Sequence, residues 1–149
     1  MLKISQGQLN LCHNHARSCY PEECCGLLLG KDKTVVQVWQ VVNSWTPDFG
    51  DRLPASSTEN NSRLNRFAID PKDILTAQKF ARTSGLDIIG IYHSHPDHPA
   101  IPSASDLAIA WDIYSYIIMS VTAQSVTATR SWVLTEDQFQ EEDLTIFRM

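Results

Sequence analysis

Apolar and small residues at Leu9, Cys12, Ala16, Cys19 and Tyr20 recur at helical spacing, which predicts an amphipathic helix over 6–20 ended by Pro21. The apolar run Cys24–Leu29, closed by Gly30, and the valine-rich run Thr34–Val42 read as two antiparallel strands joined by the turn KDK. The second run is apolar on both faces, which places it inside a sheet rather than at an exposed edge. Residues 43–65 have no periodicity and are dense in Asn, Ser, Pro and Asp, the composition of a long loop. A short strand is predicted at Arg66–Ile69. Asp70-Pro71 then supplies an N-cap and first-turn proline for a helix carrying Ile74, Leu75, Gln78, Phe80 and Ala81, stopped by Gly85.

Leu86–Tyr92 is the most strand-like stretch, and it runs directly into HSHPDHPAIPSASD. A helix is predicted from Ser103 through Leu107, Ile109, Ala110 and Trp111, followed by β-like segments at Tyr116–Ala123, Thr129–Leu134 and Asp143–Phe147. No internal repeat breaks this succession. The expected fold class is α/β: one layered domain over residues 1–149, a mixed central sheet flanked by helices.

Composition narrows the partners. The chain has 149 residues, 43% hydrophobic and 19% charged, enough for a core without covalent staples. A net charge of −5 with no basic run argues against nucleic acid or an anionic membrane. The N-terminal stretch lacks the apolar core of a signal peptide and no window would span a bilayer, so a cytoplasmic protein is expected. Cys12, Cys19, Cys24 and Cys25 include no C-x-x-C pair, which disfavours a disulfide framework or a thiolate zinc knuckle. Cys24 and Cys25 read as core residues at the start of a strand.

The chemistry concentrates at His93-Ser94-His95, followed by Ser103 and Asp106. Alternate side chains of an extended segment share a face, so His93 and His95 can converge on one ion. Pro96, Pro99 and Pro102 stiffen the loop that turns the chain back, and Asp106 falls in the first turn of the next helix. Two imidazoles and a carboxylate suit zinc, and three protein ligands leave a position open, as in catalytic sites. The plainer reading of Ser103-x-x-Asp106 is an N-cap with an acidic N3 residue.

HSHPDHPAIPSASD resembles the H-x-H-x7-S-x2-D signature of the JAMM/MPN-plus metallopeptidases, with every spacing matched, and PEECCGLLLG (21–30) is similar to that family's upstream glutamate segment. The resemblance covers about residues 9–134. It implies the MPN/JAB fold, which is cytidine-deaminase-like, with one zinc held by His93, His95 and Asp106. It further implies Glu23 as the general base and Ser103 as the oxyanion donor. Glu22 adjoins Glu23 and only register separates them; motif alignment selects Glu23. The implied activity is hydrolysis of a peptide or isopeptide bond after the C-terminal Gly-Gly of a ubiquitin-like protein. The minimal chain size points towards a β-grasp sulfur carrier as that substrate. The alternative is a non-catalytic MPN scaffold, which lacks the ligands that are present here. A zinc deaminase would need H-x-E with P-C-x-x-C, and a zincin H-E-x-x-H; neither occurs.

Other residues carry weaker expectations. His98 is expected at the surface or facing substrate, and His13 and His15 have no evident partner. Trp39, Trp111 and Trp132 are expected in the core; for Trp45, in the long loop, contact with substrate is the minority reading. Oligomeric state is left open.

Overall fold

A computed structural model describes residues 1–47 and 61–148. The chain enters as strand β1 (Leu2–Ser5) and turns into helix α1 (Gln6–Cys19), whose N-cap Ser5 accepts a hydrogen bond from the Gln8 amide. Strands β2 (Cys25–Lys31) and β3 (Thr34–Val41) form the expected hairpin. Its turn residues Asp32 and Lys33 both have positive φ, as a tight two-residue connection requires. Helix α2 (Pro71–Thr83) is capped by Asp70, which accepts from the Lys72 amide. At its end Gly85 takes φ 71°, while the Leu86 and Gly85 amides return to the carbonyls of Ala81 and Arg82.

Strand β4 (Asp87–Pro96) follows, then the single-turn helix α3 (Ala104–Ala108) and strands β5 (Ser115–Val121), β6 (Val126–Thr135), β7 (Gln138–Glu142) and β8 (Leu144–Phe147). Among the described residues the strands make one mixed sheet in the order β7-β6-β5-β4-β2-β3-β1-β8. β4 runs antiparallel to β2 and parallel to β5. The valine-rich β3 lies between β2 and β1, an interior strand as its two-faced apolarity predicts. No helix among the described residues is long and apolar enough to cross a membrane.

The sheet is covered on both faces. α1 sets Leu9, Cys12 and Ala16 against Cys24, Leu28, Tyr92, Ile117 and Met119. α2 sets Ala77 and Ala81 against Leu27, Leu29, Ile88 and Ile91 on the other face. Gly26 is required by a close approach: a Cβ there would land within the ring of Tyr92, a fully buried side chain whose hydroxyl is hydrogen-bonded to His15 Nδ1 at 2.8 Å. His15 therefore has a partner, and so has His13, whose Nε2 lies 2.8 Å from Thr129 Oγ1.

β7 and β8 stand at opposite edges of the sheet, yet only Asp143 separates them. The sheet must therefore curl until its two edges meet at that corner. There Glu142 of β7 is bonded by Ser131 of β6 at 2.8 Å and paired with Lys33 of the β2–β3 turn, also at 2.8 Å. Burial alone would raise the Glu142 carboxyl, but hydrogen bonds from Lys33, Ser115 and Ser131 outweigh it and hold the pKa at about 2.

Several expected elements differ. Residues 66–69 are not a strand: the Ala68 amide and the Arg66 carbonyl bond to the Asn43 side chain, and Ser44 takes the Ala68 carbonyl, so these groups are engaged outside a ladder. The helix at Ser103 ends at Ala108 rather than running to Trp111, because Asp106 is its one buried side chain and no apolar stripe anchors more turns. Trp111 is accordingly 63% exposed and outside the core, while Trp39 and Trp132 are half-buried. The short β1 and polar β7 were not expected from the sequence. In the long segment expected at 43–65, residues 43–46 and 61–65 are irregular and 48–60 lie outside the described residues.

Two substitutions test this frame. Gly26→Ala should cost about 3 kcal/mol through overpacking against Tyr92, read as a lowered denaturation midpoint. The Glu142 carboxyl is depressed in the fold, so its stabilisation is present above its ordinary pKa near 4.5 and is lost as pH falls towards about 2. Glu142→Gln should lower Tm at pH 7 and flatten the decline of Tm across that acid window.

Candidate metal centre

Period-two alternation along β4 sends Tyr92 to the α1 face and Ile91 and His93 to the opposite face, with His95 following His93. His93 is fully buried and stacked on Phe67, ring centroids 4.4 Å apart. The two imidazoles then meet: His93 Nε2 lies 3.1 Å from His95 Nε2. Asp106 completes the group, with Oδ1 3.2 Å from His93 Nε2 and Oδ2 3.1 Å from His95 Nε2.

The spacing fits a cation. Ligand atoms about 2.0–2.2 Å from a tetrahedral zinc stand roughly 3.3–3.5 Å apart. The tautomer fits as well. His95 Nδ1 is 2.9 Å from the Pro99 carbonyl, which can only accept, so the ring proton sits on Nδ1 and Nε2 turns a lone pair inward. His93, His95 and Asp106 form a buried cluster able to hold a metal ion. A borderline-soft divalent ion such as zinc suits this two-nitrogen, one-carboxylate donor set.

The capping reading of Ser103 and Asp106 also holds, and it is the same structure. Ser103 Oγ accepts from the Asp106 amide at 3.1 Å, and the Ser103 amide donates to Asp106 Oδ2 at 2.8 Å. The capping box thus fixes the carboxylate that faces both histidines, and leaves the hydroxyl proton of Ser103 free to point into the cleft.

Electrostatics follow from burial and proximity. Burial would raise Asp106, but the two histidines hold it well below the usual carboxylate range. Burial lowers His93, whereas for His95 the hydrogen bond and charge of Asp106 outweigh burial and raise it. Burial, then the negative charge of Asp106, push the Glu23 carboxyl well above the ordinary value, and Arg66 partly opposes them. A carboxyl raised in this way holds a proton more readily than an exposed one.

Glu23 is 5% exposed and lines a cleft of about 300 Å³ together with Arg66, His95, His98, Pro99, Ile101 and Ser103. Glu23 Oε1 is buried without a hydrogen-bond partner among the described residues. Glu22 is exposed and faces a separate hollow with Trp45, Arg63 and Leu64, so the two adjacent glutamates point apart. Trp45 is 3% exposed in that second hollow and does not line the cleft, because Asn43 and Arg63 hold its backbone inward. His98 is exposed at the cleft wall. Cys24 and Cys25 are buried, and burial pushes both thiols up, Cys24 to about 12, so neither is a reactive thiolate. All four cysteines are free. Arg66 and Asn43 escaped sequence reasoning. The one available signal was their position flanking a loop dense in polar residues.

Known proteins resemble this chain over most of its length. Residues 5–135 match the family model described as prokaryotic homologs of the JAB domain. A protein of Thermus thermophilus, named a probable TtuB-protein conjugate cleaving protease, is 35% identical over 138 residues, covering 93% of this chain and 79% of that one. A desampylase of Haloferax volcanii is 30% identical over 129 residues, covering 85% and 79%. A solution structure from Desulfitobacterium hafniense superposes with a TM-score of 0.79 at 30% identity, covering 100% of this chain and 94% of that chain. With a match of that extent over the strands and helices that carry the cluster, the chain belongs to the prokaryotic homologs of the JAB domain.

Proposed function

We propose that this chain is a zinc-dependent peptidase that cuts a peptide or isopeptide bond after the C-terminal Gly-Gly of a ubiquitin-like protein of the β-grasp sulfur-carrier type. The observation that carries it is the convergence of His93, His95 and Asp106, with His95 opening on a cleft that also presents Glu23 and Ser103. The relatives named as a desampylase and a TtuB-conjugate cleaving protease support a ubiquitin-like modifier as substrate.

His93 Nε2, His95 Nε2 and the Asp106 carboxylate would hold the metal. When bound, zinc supplies Lewis acidity and brings the pKa of a water towards neutrality. Glu23, raised by burial and by Asp106, accepts the proton of the attacking water and returns it to the departing amine. Ser103 donates its hydroxyl proton to the carbonyl oxygen as negative charge develops there, its oxygen already steadied by the Asp106 amide. His95 is kept in the ligating tautomer by the Pro99 carbonyl. Glycine at the scissile position suits such a site, since a residue without Cβ lets an extended backbone come close to the reacting groups.

The test is an intact-mass assay on a β-grasp carrier extended beyond its terminal Gly-Gly, with zinc-loaded and chelator-stripped protein in parallel. Trimming back to Gly-Gly only with zinc is the expected result. Zinc retention without cleavage refutes the carrier as substrate, and absence of both favours the scaffold alternative. Glu23→Gln should abolish turnover with one zinc retained, and Asp106→Ala should lose zinc and turnover together. Ser103→Ala should lower kcat on the order of 10²–10³-fold. Full activity in Glu23→Gln would reject Glu23 as the base.

A further inference from the structure

Asn43 takes no part in the chemistry above, yet its side chain is among the few buried polar groups, at 9% exposure. It leaves β3 just before the described chain turns irregular, a position where nothing in the sequence asks for an amide. Its Nδ2 donates to the carbonyls of Glu23, at 3.1 Å, and Arg66, at 2.9 Å. Its Oδ1 accepts from the amides of Trp45 and Ala68, both at 3.1 Å. A carboxamide offers two donors and two acceptor lone pairs, and all four are used. A flipped amide would set its N–H groups against two other N–H groups, so the orientation is fixed by the partners.

The consequence lies at the cleft. The Glu23 amide donates to the Arg63 carbonyl at 2.7 Å, its carbonyl accepts from Asn43, and the next amide, of Cys24, donates to Ser94 Oγ at 2.8 Å. Ser94 in turn donates its amide to the Cys24 carbonyl at 3.2 Å, and it stands between the two clustered histidines. The backbone around Glu23 is therefore suspended between the histidine strand on one side and Asn43 on the other. Arg66, the cation that bears on the Glu23 carboxyl from the same cleft, hangs from the second Asn43 donor. Glu23 and Arg66 belong to no regular strand, so side-chain bonds do the work a ladder would otherwise do.

We propose that Asn43 is a positioning residue for Glu23, its carboxamide holding the backbones of Glu23 and Arg66 in one frame and so setting where the carboxylate stands relative to His93, His95 and Asp106. The inference rests on the proposed role of Glu23, and its test separates the two. Asn43→Asp is nearly isosteric, keeps both acceptors and removes both donors. Should Asn43→Asp fail to fold, Asn43→Thr, uncharged and with a single donor, carries the same measurements.

Two readouts are taken. The first is the side-chain carboxyl ¹³C resonance of Glu23 in the labelled chain, assigned by its disappearance in Glu23→Gln. The second is steady-state cleavage of the extended β-grasp carrier by the zinc-loaded chain, with zinc content measured alongside. The resonance should move in the folded variant, and kcat should fall at least tenfold with KM within about twofold and zinc retained. A merely structural role would move KM, zinc content and Tm together. An unmoved resonance with kcat within twofold of the parent overturns the inference, as does a loss of kcat only in proportion to lost zinc. A shifted resonance in a chain whose parent cleaves no carrier supports the positioning role while refuting the substrate reading.

Discussion

The antiparallel pairing of β2 with β4 is the constraint on which the rest of the site depends. Its register sets Cys25 opposite His93, so the residue two places before Cys25 lies beside the end of the strand that carries both histidines. Shifting that pairing by one residue would send every side chain on β2 to the other face, and Leu27 and Leu29 would leave the α2 side of the core. Burial of those leucines therefore fixes the register, and the register delivers Glu23 to the cleft. Gly26 belongs to the same constraint, since only a residue without Cβ lets β2 lie against the Tyr92 ring at that spacing.

Around this pairing, groups that satisfy the backbone also prepare the chemistry. The Asp106 carboxylate is at once the N3 member of a capping box and the negative charge facing two imidazoles. The Pro99 carbonyl closes the proline-rich loop and selects the tautomer of His95. Burial weakens the screening of their interactions: the two histidines drive Asp106 down, whereas burial itself and then the charge of Asp106 drive Glu23 up. Two carboxyl groups pushed in opposite directions suit the division of roles proposed above, Asp106 as ligand and Glu23 as proton carrier.

Further from the cleft, the curl of the sheet is set by its ends. β7 and β8 are joined through Asp143 alone, so the two edges must be brought to one corner. Glu142, Lys33 and Ser131 occupy that corner with opposite charges and hydrogen bonds at short range. The pairing holds the edges without extending either strand, and it leaves the C-terminal end of β4, with its histidines, at the opposite side of Tyr92 from the hairpin turn.

What the sequence determined by itself is whatever depends on neighbours along the chain. The same-face alternation of His93 and His95, the cap at Ser103 with Asp106, the start of α2 at Asp70-Pro71 and its stop at Gly85 are all written in spacings of two to four residues. The mixed α/β character and the match of the motif to the JAB-domain family were legible for the same reason. Tertiary structure decided what depends on partners far apart in the chain. It turned Glu23 inward and Glu22 outward, brought Arg66 to the cleft, buried Trp45 and left Trp111 exposed. It also replaced the strand expected at 66–69 with bonds to Asn43 and Ser44. The physical reason is common to these cases: a side chain's exposure and a backbone group's partner are set by packing across the fold, and an asparagine that completes four hydrogen bonds looks, in the sequence, like any other residue of a loop.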